Sequence, residues 1–462
     1  MEPRPRDTRS NGLSPAGSGT GRAIVIGPYR RRPPARPGPS AHRQTERAPA
    51  ARLEEAVGLA RAIDLDVVFS GVAPVGEIRP ATYLGRGKVD EIAGLAKSLE
   101  AGIVVVDGAL SPVQQRNLEK AWNAKVLDRT ALILEIFGRR AHTKEGALQV
   151  EHAHLTYQKS RLVRTWTHLE RQRGGFGFLG GPGETQIETD RRLIEERVAR
   201  IEDELEKVKR RRKLHRDSRA RVPYPIVALV GYTNAGKSTL FNRMTRASVL
   251  EADMLFATLD PTLRAVTLPS GLKIILSDTV GFISELPTML VAAFRATLEE
   301  VVEADVILHV RDISHEDAEA QSQDVAEVLG ALGIDPNDED RLVEVWNKLD
   351  RLDADGRARL QNLAERKPPR QRPVPVSALT GEGIDGLTRT IEGRLGLRRT
   401  VLDLLLDPAD GAGVSWLHRH AEVMTKSLDD QGRLAMTVRV DSGKADAVRA
   451  KFPSGAFGGR RP

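Results

Sequence analysis

One octapeptide constrains this chain more than any other feature. Gly231-Tyr-Thr-Asn-Ala-Gly236-Lys237-Ser238 follows an apolar run, Pro225–Val230, and leads directly into Thr239–Thr245, TLFNRMT. A strand, a glycine-rich turn and a helix in that order are the context of a phosphate-binding loop. The glycines let backbone N–H groups turn inward around phosphate oxygens, and the helix N-terminus adds its positive dipole end. Gly231, Tyr232, Thr233, Asn234, Ala235 and Gly236 would form the cradle. Lys237 would place a charge at the β- and γ-phosphates, and Ser238 would offer a hydroxyl to Mg2+. Strand candidates continue at Lys273–Leu276, Val306–Val310, Val343–Trp346 and Val374–Val376, with helices between them. This alternation predicts a doubly wound α/β domain with a mostly parallel sheet over residues 223–397.

Two further motifs fall where such a domain needs them. Asp278-Thr279-Val280-Gly281 ends a strand 41 residues after Lys237, room for one helix and one strand. Asp278 would hold Mg2+ through water, and the Gly281 N–H would reach the γ-phosphate. Asn347-Lys348-Leu-Asp350 ends the strand LVEVW. The Asp350 carboxylate can accept from both N1–H and the 2-amino group of guanine, which adenine lacks in that arrangement, so the reading is GTP and GDP over ATP. Asn347 would brace the loop, and the Lys348 stem would cover the ring. Ser377-Ala378-Leu379 fits the last guanine-side loop, although this tripeptide is worthless alone. Thr258 and Thr262 both qualify as the threonine that ligates Mg2+ in the GTP state, and spacing does not choose between them. Phe282 follows Gly281 where many such enzymes carry a water-orienting Gln. Either the phenylalanine simply packs in the core, or intrinsic hydrolysis is slow and another group positions the water.

The 462 residues are too many for a single core, and the rest of the chain divides by pattern. Residues 1–50 carry ten Arg against three acids, and they read as a disordered basic extension with one possible strand, Ala23–Gly27. The formal charge of the whole chain is +7, so the remainder is neutral overall. Residues 51–128 alternate helix and strand and predict a small α/β domain. Over residues 129–222, Leu148, Leu155, Leu162 and Leu169 recur every seven positions. Ile187, Ile194, Val198, Ile201, Leu205 and Val208 follow heptad spacing after them. Two antiparallel helices joined by the Gly-rich segment Arg171–Glu184 account for both runs. Residues 157–221 hold eighteen basic and eleven acidic side chains, a basic stretch that suits an RNA partner better than the overall pI does. Residues 398–462 read as a small α+β domain with a basic tail. Cysteine is absent, which excludes disulfides and cysteine-bound zinc and fits a reducing cytoplasm. No apolar run is long enough to cross a bilayer, and the basic N-terminus lacks an amphipathic face for stable membrane anchoring.

Taken together, GGFGFLGGPGETQIETDRR, GYTNAGKSTLFN, DMLFATLDPT, DTVGFISELP and NKLD resemble the HflX family of bacterial ribosome-associated GTPases, over about Ala51 to Leu397. The resemblance implies an N-terminal α/β subdomain, a helical hairpin, a GTPase domain and a variable C-terminal domain. It implies that Thr258 is the Mg2+ ligand, within a nucleotide loop of Phe256, Ala257, Thr258, Leu259 and Asp260, and that Lys237, Thr258 and Gly281 serve hydrolysis. It also implies binding to the large ribosomal subunit and its rRNA, with a role in splitting or rescuing ribosomes. DNA is not an expected partner, and a monomer is expected. Arg171 and Arg173 at the hairpin tip can meet phosphates, while Phe176 and Phe178 can stack on unpaired bases. A pure guanine-nucleotide switch for protein partners is the competing reading. Some family members are reported to bind ATP through the N-terminal region, but Gly85-Arg-Gly87-Lys88 is not a full phosphate loop here.

Overall fold

The computed structural model describes residues 21–30, 47–172, 182–219, 224–245, 255–256, 259, 261–284, 298–397, 399–429, 431–452 and 456–460. The chain divides into two compact units. The first holds a four-stranded parallel sheet in the order β2-β1-β3-β4, from β1 (Arg22–Gly27), β2 (Asp66–Val72), β3 (Ile103–Val106) and β4 (Lys125–Asp128). Helices α1 (Pro49–Arg61), α2 (Arg86–Ser98) and α3 (Pro112–Trp122) connect the strands. Ser111 and Gln114 form a reciprocal capping box at the start of α3, and Asn123 ends it in the left-handed region. The expected strand at 23–27 is therefore no appendage. It is an interior strand paired on both sides, so a boundary at residue 50 separates it from its own sheet. Its residues Ala23 to Ile26 are essentially inaccessible to solvent.

Three long helices follow: α4 (Arg129–Arg140), α5 (Lys144–Gln172) and α6 (Pro182–Arg219). The heptad pattern foresaw two antiparallel helices, and α5 and α6 run that way. Lys144 pairs with Glu204, Arg197 with Glu151, and Lys159 with Glu195, so ascending positions on one helix meet descending positions on the other. Leu148 and Ile201 are buried on the seam. His152 is 3.1 Å from Glu202 across it. The segment 173–181, which includes Arg173, Phe176 and Phe178, lies outside the described residues, and Arg171 is placed only as part of α5.

The largest sheet has the order β10-β9-β8-β5-β7-β6. Its strands are β5 (Ile226–Gly231), β6 (Thr262–Thr267), β7 (Lys273–Asp278), β8 (Val306–Asp312), β9 (Leu342–Asn347) and β10 (Val374–Pro375). Every pairing is parallel except that of the edge strand β6 with β7. Among the described residues its helices are α7 (Lys237–Thr245), α8 (Glu299–Glu303), α9 (Ala318–Ala331), α10 (Ala354–Arg366) and α11 (Ile384–Leu397). A continuous core runs from Val227 and Leu229 through Leu240 and Phe241 to Leu308, Val345 and Leu387. It fixes the strands whose C-terminal ends carry Gly231, Asp278, Asp312 and Asn347 on one edge.

The last element group is β11 (Arg399–Leu406), α12 (Gly411–His420), β12 (Glu422–Leu428), β13 (Leu434–Asp441), α13 (Ser442–Lys451) and β14 (Ala456–Arg460). The strands form an antiparallel sheet in the order β12-β13-β11-β14, a β-α-β-β-α-β ferredoxin-like arrangement. Leu402, Leu404, Met436 and Val438 alternate inward to a core with Leu417 and Val448. Among the described residues no helix is long and apolar enough to cross a membrane.

A candidate guanine-nucleotide site

The site is assembled from loops at the carboxyl ends of β5, β7, β9 and β10. The phosphate loop departs from β5 at Gly231, whose φ of 152° and close approach to the Val310 carbonyl admit no side chain. Asn234 takes a left-handed φ of 59°, and Gly236 a φ of 90°. A Cβ on Gly236 would lie 2.2 Å from Asn347 Nδ2. The loop therefore curls tightly into the N-terminus of α7, a setting in which backbone amides can face a phosphate. Lys237 is buried beneath it, and its ammonium donates to the carbonyls of Gly231 (3.2 Å) and Tyr232 (2.8 Å). Burial pulls this ammonium down to about pKa 8 against the opposing pull of Asp278.

Asp278 and Ser238 are brought together, with the Ser238 hydroxyl donating to Asp278 Oδ2 at 2.7 Å. A hydroxyl and a carboxylate are both hard oxygen donors, so the pair fits a small divalent cation. Thr279 is tied back to β5 by a 2.6 Å hydrogen bond to the Leu229 carbonyl, and Val280 is buried. Gly281 sits against the phosphate loop: a Cβ there would be 2.9 Å from Thr233 and 3.0 Å from Lys237 Nζ. Phe282 is 1% exposed and packs in the interior, as the first of the two sequence readings has it. Its backbone pairs with the loop, accepting from Thr233 N and donating to Gly231 O.

On the base side, Asn347 links two loops. Its Nδ2 donates to the Ala235 carbonyl at 2.8 Å, and its Oδ1 accepts from the Ala378 amide at 2.9 Å. Lys348 holds a left-handed φ of 67°, and its ammonium pairs with Asp312 at 2.6 Å. Ser377 donates to Asp350 Oδ1 at 2.5 Å, which orients the carboxylate. Leu379 is 67% exposed and can cover a planar ligand. Sequence reading passed over three residues that support the site. Asp312 steers Lys348; Arg243 of α7 holds the carbonyls of Ala378 and Leu379; Arg47 donates to the Tyr232 hydroxyl at 2.5 Å.

The remaining loop is only partly described. Ala257, Thr258 and Asp260 lie outside the described residues, while Phe256 and Leu259 are each 2% exposed. Phe256 takes a φ of 57°, unusual for an aromatic residue, and its ring meets Phe137 of α4 edge-on at 4.8 Å. Thr262 is the first residue of β6 and lies opposite Asp278.

Comparison with known proteins agrees with this geometry. Family models match as GTP-binding GTPase N-terminal (residues 50–138), GTP-binding GTPase middle region (140–219), 50S ribosome-binding GTPase (226–348) and HflX C-terminal domain (362–457). The GTPase HflX of Magnetococcus marinus is 51% identical over 372 residues, covering 80% of this chain and 84% of that protein. The chain belongs to the HflX family of GTPases. The GTPase HflX of Escherichia coli is 46% identical over 361 residues, covering 78% and 83% of the two chains. A solved GTP-binding protein of Sulfolobus solfataricus in complex with GDP is 22% identical with a TM-score of 0.43, covering 81% and 98%. As an HflX-family GTPase this chain binds and hydrolyses GTP on its P-loop domain.

The N-terminal sheet of this HflX-family chain has its own switch point, between β1 and β3, where open α/β sheets take ligands. Side chains fill it here. Tyr29 donates to Asp107 at 2.6 Å, and Arg129 pairs with Asp107 (2.5 Å) and with Glu55. Burial opposes the charge on Arg129, yet Asp107 and Glu55 outweigh it and raise its pKa. Gly85 and Gly87 take no positive φ, and a Cβ on either would meet nothing within 4 Å, so Gly85–Lys88 is an ordinary helix start.

Proposed function

We propose that this GTPase binds the large ribosomal subunit in its GTP state and leaves it after hydrolysis, and that it thereby splits or rescues ribosomes. The observation that carries the reading is the α5–α6 hairpin. Two helices of 29 and 38 residues, tied by cross-helix ion pairs, converge on a glycine-rich connection that holds Arg173, Phe176 and Phe178. A stiff arm of that kind suits a deep RNA cleft, where Arg171 and Arg173 meet phosphates and the phenylalanines stack on unpaired bases. The description of the matching 226–348 model, 50S ribosome-binding GTPase, supports the same partner.

Within the nucleotide site we assign Gly231 to Ser238 to the phosphates, Asp350 to the guanine N1–H and 2-amino groups, and Lys348 and Leu379 to its faces. Asn347, Ser377 and Ala378 hold that pocket in register. Ser238 and, by family resemblance, Thr258 would ligate Mg2+, and Asp278 would hold it through water. An ion held by these residues would supply positive charge to the phosphates. Lys237 would add a fixed charge, and we assign the Gly281 amide as a donor to the γ-phosphate.

The test is GTP turnover with and without purified large subunits, beside a variant lacking Arg171–Gly183. Stimulation that vanishes with the tip supports a ribosome-triggered GTPase. Intact GTP binding without stimulation points instead to a switch that recruits protein partners.

A further inference from the structure

Arg47 reaches the nucleotide site from a part of the sequence that no nucleotide motif includes. Its partners Tyr232 and Asp324 are 185 and 277 residues away in sequence. The side chain is 8% exposed. It donates to the Tyr232 hydroxyl and to Asp324 of α9, each at 2.5 Å, and lies 4.6 Å from the centre of the Tyr232 ring. The same hydroxyl accepts from the Ser284 amide at 2.7 Å. Ser284 is three residues beyond Gly281, and the backbone between them is already pinned to the phosphate loop by the Phe282 pairings. One phenol oxygen thus joins a buried cation to both nucleotide loops.

We propose that Arg47 is a positioning residue for GTP hydrolysis. It fixes the Tyr232 phenol, and through that oxygen it sets the segment Gly281–Ser284 against the phosphate loop. This inference rests on the assignment of the Gly281 amide to the γ-phosphate. A phenol oxygen can accept two hydrogen bonds, and an ionised donor makes the stronger one. Without Arg47 the phenol loses its ionised donor, and the Gly281–Ser284 segment is held less firmly. Displacements of about 1 Å at a reacting centre cost up to roughly a hundredfold in rate. Because Gly281 retains its backbone tethers, a loss of about five- to tenfold is expected.

The experiment uses the full chain with Arg47→Ala, Arg47→Lys, Tyr232→Phe, the Arg47→Ala/Tyr232→Phe double variant, and Gly281→Ala. Single-turnover GTP hydrolysis, GTP affinity and amide exchange at Ser284 are measured for each. Arg47→Ala is expected to slow hydrolysis by about five- to tenfold, change affinity less than about twofold, and speed Ser284 exchange. Arg47→Lys should recover part of the rate, and the double variant should be no slower than Tyr232→Phe alone. Wild-type or faster hydrolysis by Arg47→Ala overturns the proposal, as does a double variant whose defects multiply. If Gly281→Ala is slow while Arg47→Ala is not, the Arg47 inference alone fails. If neither is slow, the Gly281 assignment fails with it.

Discussion

Asn347 is where the phosphate loop and the base pocket are joined, so truncating it should damage both. Asn347→Ala leaves two buried backbone groups, the Ala235 carbonyl and the Ala378 amide, without the bonds of 2.8 and 2.9 Å that they now make. Ala235 and Ala378 are 1% and 3% exposed, so water does not readily replace the lost partner. An unsatisfied buried group costs about 1–3 kcal/mol, and two give a combined loss of about 2–6 kcal/mol. That loss divides between folding stability and guanine-nucleotide affinity, where each ~1.4 kcal/mol is tenfold. Asn347→Asp separates the two halves. It keeps an acceptor for Ala378 but turns a carboxylate oxygen toward the Ala235 carbonyl, so the phosphate side suffers alone. Denaturant unfolding and GDP titration on the same samples read the two terms. If Asn347→Ala changes both by less than about 0.5 kcal/mol, the scale of an ordinary surface change, the bridge is not what holds these loops together.

Three further outcomes are expected. Burial pulls the Lys237 ammonium down to about pKa 8, and the negative charge of a bound triphosphate should raise it. Binding then takes up a proton above that pH, so GTP affinity should be flat below pH 8 and fall up to about tenfold per unit above it; a flat profile to pH 9.5, or the same slope in Lys237→Gln, would refute this. Glu344 is held down to about 2 because Arg311 and Lys367 outweigh the opposing effect of burial. Its folded value lies below the ordinary 4.5, so its contribution to stability is complete above pH 4.5 and drains away as pH falls toward 2. Unfolding of Glu344→Gln should therefore show less acid sensitivity than wild type over that window. Arg129→Met removes the cation that neutralises Asp107 and Glu55 in a buried cluster, at a cost of about 3–5 kcal/mol measured by denaturant unfolding.

The phosphate loop, Asp278–Gly281 and Asn347–Asp350 were legible because each is a short string at a strand end, where local order in the chain equals order in space. The heptads announced α5 and α6 for a similar reason, since a periodic apolar face is written along the sequence. What escaped was non-local. Nothing near Arg47 in sequence points to Tyr232, nothing near Asp312 points to Lys348, and nothing near Arg243 points to the Ala378 carbonyl. Ser377 was worthless as part of a tripeptide and acquires meaning only from its hydrogen bond to Asp350. The edge strand β6 was missed because TLRAVT is half exposed and pairs on one side only, which leaves little apolar signal.

The place of β1 in the first sheet has a consequence for any shortened form of the chain. Cutting before residue 51 removes the strand that lies between β2 and β3, and so uncovers a row of unpaired N–H and C=O groups on each. Val104, Val105 and Val106 of β3 are wholly buried in the intact sheet and would flank one of those rows. Open apolar strand edges recruit other strands, so such a fragment would self-associate or be degraded, however sound its GTPase domain. Proteolytic loss of residues 21–27 would send the protein toward aggregation.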